Sequence, residues 1–224
     1  MKAMILAAGR GARLSPLTDT TPKPLLMVRG KTLLDWQLDK LIAAGFSEIV
    51  INVGYLGEKI KEHLSRHWRN GIDIQFSLEP ETALETGGGI QHALALLGEG
   101  AFAVVNADVW TNFDFSRLRA ISQIGPDNWR GHLVLVDNPA HNLSGDFGLD
   151  NGWVSASAEQ SLTFSGVSVL HSKLFAGLAP GRFPLAPILQ KSASQNSLTG
   201  ERFDGLWIDI GTEKKLIEIN NIDI

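Results

Sequence analysis

Short apolar runs rich in β-branched residues alternate with segments of helical periodicity through the first 136 residues, and this alternation limits the architecture most. Met4-Ile5-Leu6 reads as a buried strand that enters a Gly-rich loop from Ala8 to Pro24. Leu34, Leu38, Leu41 and Ile42 recur at helical spacing, and Gly45 supplies a stop. Glu48–Val53 reads as strand, Glu58–Trp68 as helix, Asp73–Leu78 as strand, Gly89–Leu97 as helix and Phe102–Asn106 as strand. Leu118 and Ile121 mark a further helix, and Leu133–Val136 a further strand. Alternation of this kind implies right-handed crossovers, a mostly parallel sheet and helices on both faces.

Beyond Asp137 the pattern changes. Short strands around Phe147–Leu149, Trp153–Ser155 and Leu162–Leu170 predict a β-hairpin region laid over the sheet edge. Pro180–Glu201 reads as a loop with one short helix at Pro187–Lys191; Trp207–Ile210 reads as a last strand and Thr212–Asn220 as a closing helix. A chain of 224 residues suits a single domain.

Composition narrows the function classes. A formal net charge of −4 offers no general attraction to nucleic acid or an anionic membrane, so phosphate must be bound by a local arrangement. The absence of cysteine excludes disulfides and thiolate chemistry. The apolar run Ala3–Ala8 is too short for a signal peptide, and no run is long enough to span a bilayer, so a cytoplasmic protein is expected.

The loop that leaves the first strand reads Leu6-Ala7-Ala8-Gly9-Arg10-Gly11-Ala12-Arg13-Leu14. Gly9 and Gly11 let backbone N–H groups turn toward an anion, and Arg13 adds a permanent charge. Farther along, Pro22 and Pro24 fix the backbone on either side of Lys23, which pre-positions one ammonium group. Leu14 breaks a dinucleotide fingerprint, and Leu25 breaks a P-loop ending at Gly30-Lys31-Thr32. His63 and His67 stand four apart, but Leu64 replaces the glutamate of a zinc-protease motif, and a solvated helix face is expected there. Asp108 follows an apolar strand and so lies on the ligand side of a parallel sheet.

The stretch Gly9–Thr18 followed by Thr21-Pro22-Lys23-Pro24 resembles the signature of the sugar-1-phosphate nucleotidyltransferases. The resemblance implies a Rossmann-like, glycosyltransferase-A-like α/β fold and joining of a nucleoside monophosphate to a sugar 1-phosphate with release of pyrophosphate. It assigns Leu6, Ala7, Ala8, Gly9, Gly11, Arg13 and Lys23 to the triphosphate, with Arg13 and Lys23 catalytic. Asp108, and Asp209 in Trp207-Ile208-Asp209-Ile210-Gly211-Thr212, match the family's two Mg²⁺ carboxylates. Glu79, Glu85, Thr86 and Gly88 occupy the base-reading segment, where three glycines (87–89) would let the backbone press on a flat base. Asp146, Gly148 and Gly166 fall on the sugar side. Nucleotide binding is expected in residues 1–136 and 203–224, and sugar binding in 137–202.

One departure stands out. The family's Glu-Lys-Pro lysine at the sugar phosphate has no counterpart in Ala156-Ser157-Ala158-Glu159-Gln160-Ser161, which leaves the metal or Arg202 as substitutes. Within the family, Glu85-Thr86-Gly87-Gly88-Gly89 looks most like the uridylyltransferases that use N-acetylmuramate 1-phosphate in bacterial cell-wall recycling, which implies UTP as donor. Guanylyltransferases of mannose or heptose 1-phosphate, thymidylyl- or uridylyltransferases of glucose 1-phosphate, and a non-catalytic nucleotide-sugar sensor are the alternatives. No nucleic-acid or membrane partner is expected, and the protein would be a monomer or small homo-oligomer.

Overall fold

The computed structural model describes residues 1–66, 71–80, 82–121, 127–157 and 160–221. Its first part runs β1 (Ala3–Leu6), α1 (Leu17–Thr20), a two-residue pair β2 (Met27–Val28) and β3 (Lys31–Thr32), and α2 (Leu33–Ala43). Next come β4 (Glu48–Val53), α3 (Gly57–Arg66), β5 (Asp73–Leu78), α4 (Glu85–Leu97), β6 (Ala101–Asn106), β7 (Val109–Thr111) and α5 (Ser116–Ile121). The remainder comprises β8 (Gly131–Val136), β9 (Phe147–Asp150), β10 (Trp153–Ser155), β11 (Ser161–His171), α6 (Ala186–Ser194), β12 (Leu198–Arg202), β13 (Trp207–Asp209) and α7 (Glu213–Asn221).

A nine-stranded sheet in the order β5-β4-β1-β6-β11-β8-β12-β10-β9 organises the molecule. The first four strands are parallel neighbours, and only β10 and β11 run against the rest. Strand periodicity explains the two cores. Ala3, Ile5, Ile49, Ile51, Ala103 and Val105 face one side, with Leu34, Leu38 and Leu41 of α2 and Ile60 and Leu64 of α3. Met4, Val50, Phe102 and Val104 face the other, with Ile90, Ala93 and Leu97 of α4 and Leu189 and Ala193 of α6. Helices cover both faces, as expected.

Three local expectations are corrected. The strand over Leu162–Leu170 is no edge hairpin: β11 lies between β6 and β8 in the middle of the sheet, and only β9–β10 form a hairpin at the edge. Its run of buried residues from Ser165 to Leu170 is what a two-sided environment requires. Leu198–Glu201, expected as loop, belongs to β12 (Leu198–Arg202), which docks in parallel on β8. Its Thr-Gly-Glu core reads as turn chemistry, but the site beside β8 overrides local propensity. Helix α4 starts at Glu85, so Gly87, Gly88 and Gly89 are helical. The predicted end of α3 at Trp68, like His67, lies outside the described residues.

Candidate active site

The parallel strands β1, β4, β5 and β6 all end on one side, and the loops beyond their C-terminal ends build the site. Asn52, buried near the end of β4, ties two of them together. Its Oδ1 accepts a hydrogen bond from Ala7 N (2.6 Å), and its Nδ2 donates to Glu79 Oε1 (2.6 Å). The other Glu79 oxygen accepts from Leu84 N (2.9 Å), so one carboxylate sets the start of α4. Gly89 makes this possible: a β-carbon there would stand 2.4 Å from Glu79 Oε1.

The glycine-rich loop folds back on the Pro-Lys-Pro segment. Gly11 has φ +67° and a β-carbon there would press on Lys23 and Thr18 at 3.1 Å, while Thr18 Oγ1 donates to Gly11 O (3.0 Å). Lys23, clamped between Pro22 and Pro24, is only 8% exposed, and its ammonium group pairs with Asp108. The pre-positioned cation expected from the two prolines is therefore present, and it points at a carboxylate beyond β6.

Asp108 and Asp209 reach the same place from distant parts of the chain. Strands β7 and β13 pair antiparallel with Asp209 opposite Val109, and Ile210 N donates to Asp108 O (2.9 Å). Arg13 and Asp209 stand together around Gly211, whose absent β-carbon would lie 3.0 Å from Arg13 Nη2 and 3.1 Å from Asp209 Oδ2. Two hard carboxylates, Asp108 just before β7 and Asp209 at the end of β13, suit a divalent cation. Among the described residues no cluster of three or more His, Cys, Asp or Glu encloses a metal. The protein would supply two oxygen-bearing side chains and leave the other positions to phosphate and water.

Two cavities adjoin along the cleft. One, of about 200 Å³, is lined by Leu6, Ala7, Ala8, Gly9, Lys23, Glu79, Glu85, Thr86 and Asp108 among others. The second, of about 210 Å³, is walled by Asp146, Phe147, Phe164, Gly166, Leu185 and Leu189 among others. Leu6, Thr86 and Asn106 line both, so the two share a wall.

Most of the sequence-selected residues thus converge. Gly11, Arg13, Gly88, Gly148 and Asp209 line neither cavity. Gly88 is filled by protein instead of facing a ligand: a β-carbon would meet Gly181 O at 2.1 Å, and Gly88 N donates to Phe183 O (3.0 Å). Gly148 is consumed in strand pairing with Ser155 and Ser161. Asp146 is a brace as well as a wall, accepting from Phe164 N (2.8 Å) and Asn142 Nδ2 (3.0 Å). Arg202 bonds Asp137 (3.0 Å) and Asp204 (2.7 Å). His63, expected on a solvated face, pairs with Asp35 at 2.8 Å.

Sequence reasoning missed Asn52 and Asn106. Both interrupt an apolar run near a strand's C-terminal end, and that signal would have found them. Asn106 fills the space left by Gly166, which has φ +79° and whose β-carbon would fall 2.6 Å from Asn106 Nδ2. Glu85, on the wall of the first cavity, takes φ +60° and is held by Arg182 Nε at 3.0 Å.

Comparison with known proteins places this geometry. Residues 2–149 match the nucleotidyl transferase family model. The chain is 47% identical to the N-acetylmuramate alpha-1-phosphate uridylyltransferase of Neisseria meningitidis serogroup B, covering 97% of this chain and 96% of that one. It is 36% identical to the enzyme of the same name from Caulobacter vibrioides, over 93% and 91% of the two chains. The structure of HddC from Yersinia pseudotuberculosis complexed with GMP-PN superposes with a TM-score of 0.80 at 20% identity, over 98% and 97% of the two chains, which shows a common fold. The chain belongs to the nucleotidyl transferase family and is an enzyme of its sugar-1-phosphate branch.

Proposed function

We propose that the protein transfers a uridylyl group from UTP to N-acetylmuramate 1-phosphate and releases pyrophosphate, serving cell-wall recycling in the cytoplasm as a monomer or small homo-oligomer. The observation that carries this reading is the pair of adjoining cavities that share Leu6, Thr86 and Asn106, which would hold two substrates side by side. The uridylyl donor and the sugar come from the named relatives.

In this reading residues 1–136 and 203–224 bind the nucleotide and 137–202 the sugar. Phosphate oxygens of UTP rest on the backbone of Ala7, Ala8, Gly9 and Gly11. Arg13 holds the outer phosphates, and the base lies against Glu79, Glu85 and Thr86. The nucleophile is a phosphate oxygen of the sugar 1-phosphate, already anionic at pH 7, so no general base is needed. It forms a bond to the α-phosphorus as the bond to pyrophosphate breaks, in line. Lys23 neutralises charge developing on the transferred group, and Arg13 stabilises the departing pyrophosphate. Asp108 and Asp209 would hold Mg²⁺, which when bound supplies charge neutralisation at the phosphate oxygens. Asp146 and Gly166 shape the second cavity for the sugar.

Incubation with each nucleoside triphosphate against a panel of sugar 1-phosphates, followed by pyrophosphate release, tests this. Release with UTP and N-acetylmuramate 1-phosphate, abolished by a chelator and restored by Mg²⁺, is the expected result. Release with GTP and mannose 1-phosphate would keep the chemistry and overturn the substrate assignment.

A further inference from the structure

Nucleotidyl transfer brings a second phosphate dianion into a cleft where Lys23 is already paired with Asp108. Arg202 is committed elsewhere, bonded to Asp137 and Asp204 with half its side chain exposed. Lys215 is held only by long contacts. Its Nζ lies 4.0 Å from Asp209 Oδ2 and 3.4 Å from His141 Nδ1. The first distance is longer than a charge-assisted hydrogen bond, so the ammonium retains donors for a ligand. The side chain is 27% exposed, enough to admit one.

Position strengthens the case. Lys215 projects from the start of α7, next to the strand that carries Asp209. His141 belongs to the connection between β8 and β9, the segment that continues into Asp146 and Phe147 of the second cavity. His141 Nε2 also comes within 3.9 Å of Asp209 Oδ2, so the lysine stands where the connection that leads to the second cavity meets Asp209.

We propose that Lys215 grips the phosphate of the sugar 1-phosphate and holds its attacking oxygen at the carboxylate end of the cleft. The assignment rests on the proposed nucleotidyl transfer. It makes Lys215 a determinant of affinity for the second substrate and leaves the triphosphate to Arg13, Lys23 and the loop.

Steady-state kinetics of Lys215→Ala and Lys215→Arg would test it. The alanine variant is expected to raise KM for the sugar 1-phosphate by about tenfold to a hundredfold, the range for a lost hydrogen bond to a charged group. KM for UTP should stay within about twofold. The arginine variant should recover most of the loss. Calorimetric titration of protein saturated with a non-hydrolysable UTP analogue should show the same weakening for N-acetylmuramate 1-phosphate. N-acetylmuramate itself, lacking the phosphate, should bind wild type and variant alike. An unchanged KM for the sugar phosphate, or an equal rise for both substrates, overturns the role of Lys215 while wild-type turnover keeps the proposed function. Wild-type silence with every sugar 1-phosphate overturns both.

Discussion

The two cavities that meet at Asn106 are walled by different chemistry. Backbone from the loop after β1, together with Lys23, Glu79, Glu85 and Asp108, surrounds the first. Phe147, Phe164, Leu185 and Leu189 dominate the second, with Asp146 and Gln190 as polar groups among them. Transferring a phosphoryl group requires fixed charge beside the reacting atoms, and such charge is set most cheaply on loops fastened to parallel strand ends. Selecting a sugar is a matter of shape, which an apolar wall supplies without disturbing the charges. On the proposed function the contrast separates substrate choice from catalytic power, and the two walls share Leu6, Thr86 and Asn106.

Lys23→Ala probes the charged wall and should have the largest effect. A kcat loss of about a thousandfold is expected, with affinity for UTP changed only a few-fold, measured by steady-state rates and calorimetry. A loss below tenfold would undo the division of labour.

Gly88→Ala attacks the packing of the 181–184 segment on α4, from which Leu185 of the second cavity follows. The new β-carbon would sit 2.1 Å from Gly181 O, a backbone atom, so the 181–184 segment must withdraw. A stability loss of about 2–3 kcal/mol is expected from urea unfolding, accompanied by higher KM for both substrates. Unaltered kinetics would show that the walls work without this packing.

Asp146→Asn tests the apolar wall alone. The amide cannot accept from both Phe164 N and Asn142 Nδ2, so one bond is lost, at about 1–2 kcal/mol. KM for the sugar 1-phosphate should rise while kcat and KM for UTP hold. A matching change in the UTP constants would merge the two walls.

Lys40 gives the smallest effect and a control on the nucleotide side. Burial lowers its pKa from 10.5 to about 8, with the ammonium 5.3 Å from the Trp110 ring centre. The folded form holds its proton less tightly than the unfolded form, so the unfolded chain binds more protons between about pH 8 and 10.5. Stability attributable to this group therefore rises with pH across that window and falls as pH drops back through 8. Lys40→Met should stabilise the protein at pH 7 by roughly 1–2 kcal/mol and flatten the rise, with no change in turnover. A change in turnover would tie this buried cation to catalysis.

By itself the sequence determined the charged wall. Gly9, the proline-clamped Lys23 and Asp108 lie in short motifs beyond individual strands, where local backbone chemistry and strand polarity decide position. It also determined β4 and β5 to the residue, because the β-branched run of the first and the Ile74, Phe76, Leu78 alternation of the second leave little freedom. Only the tertiary structure decided that β11 enters the sheet centre and that Thr199, Gly200 and Glu201 form a strand, since both depend on which neighbour offers unpaired backbone. The same is true of Asp209, brought beside Asp108 by pairing across about half the chain. It also holds for Gly88, whose missing β-carbon serves Gly181 and not a ligand. Contacts between residues far apart in sequence leave no periodic trace in either segment, so their meaning appears only once the partners are in place.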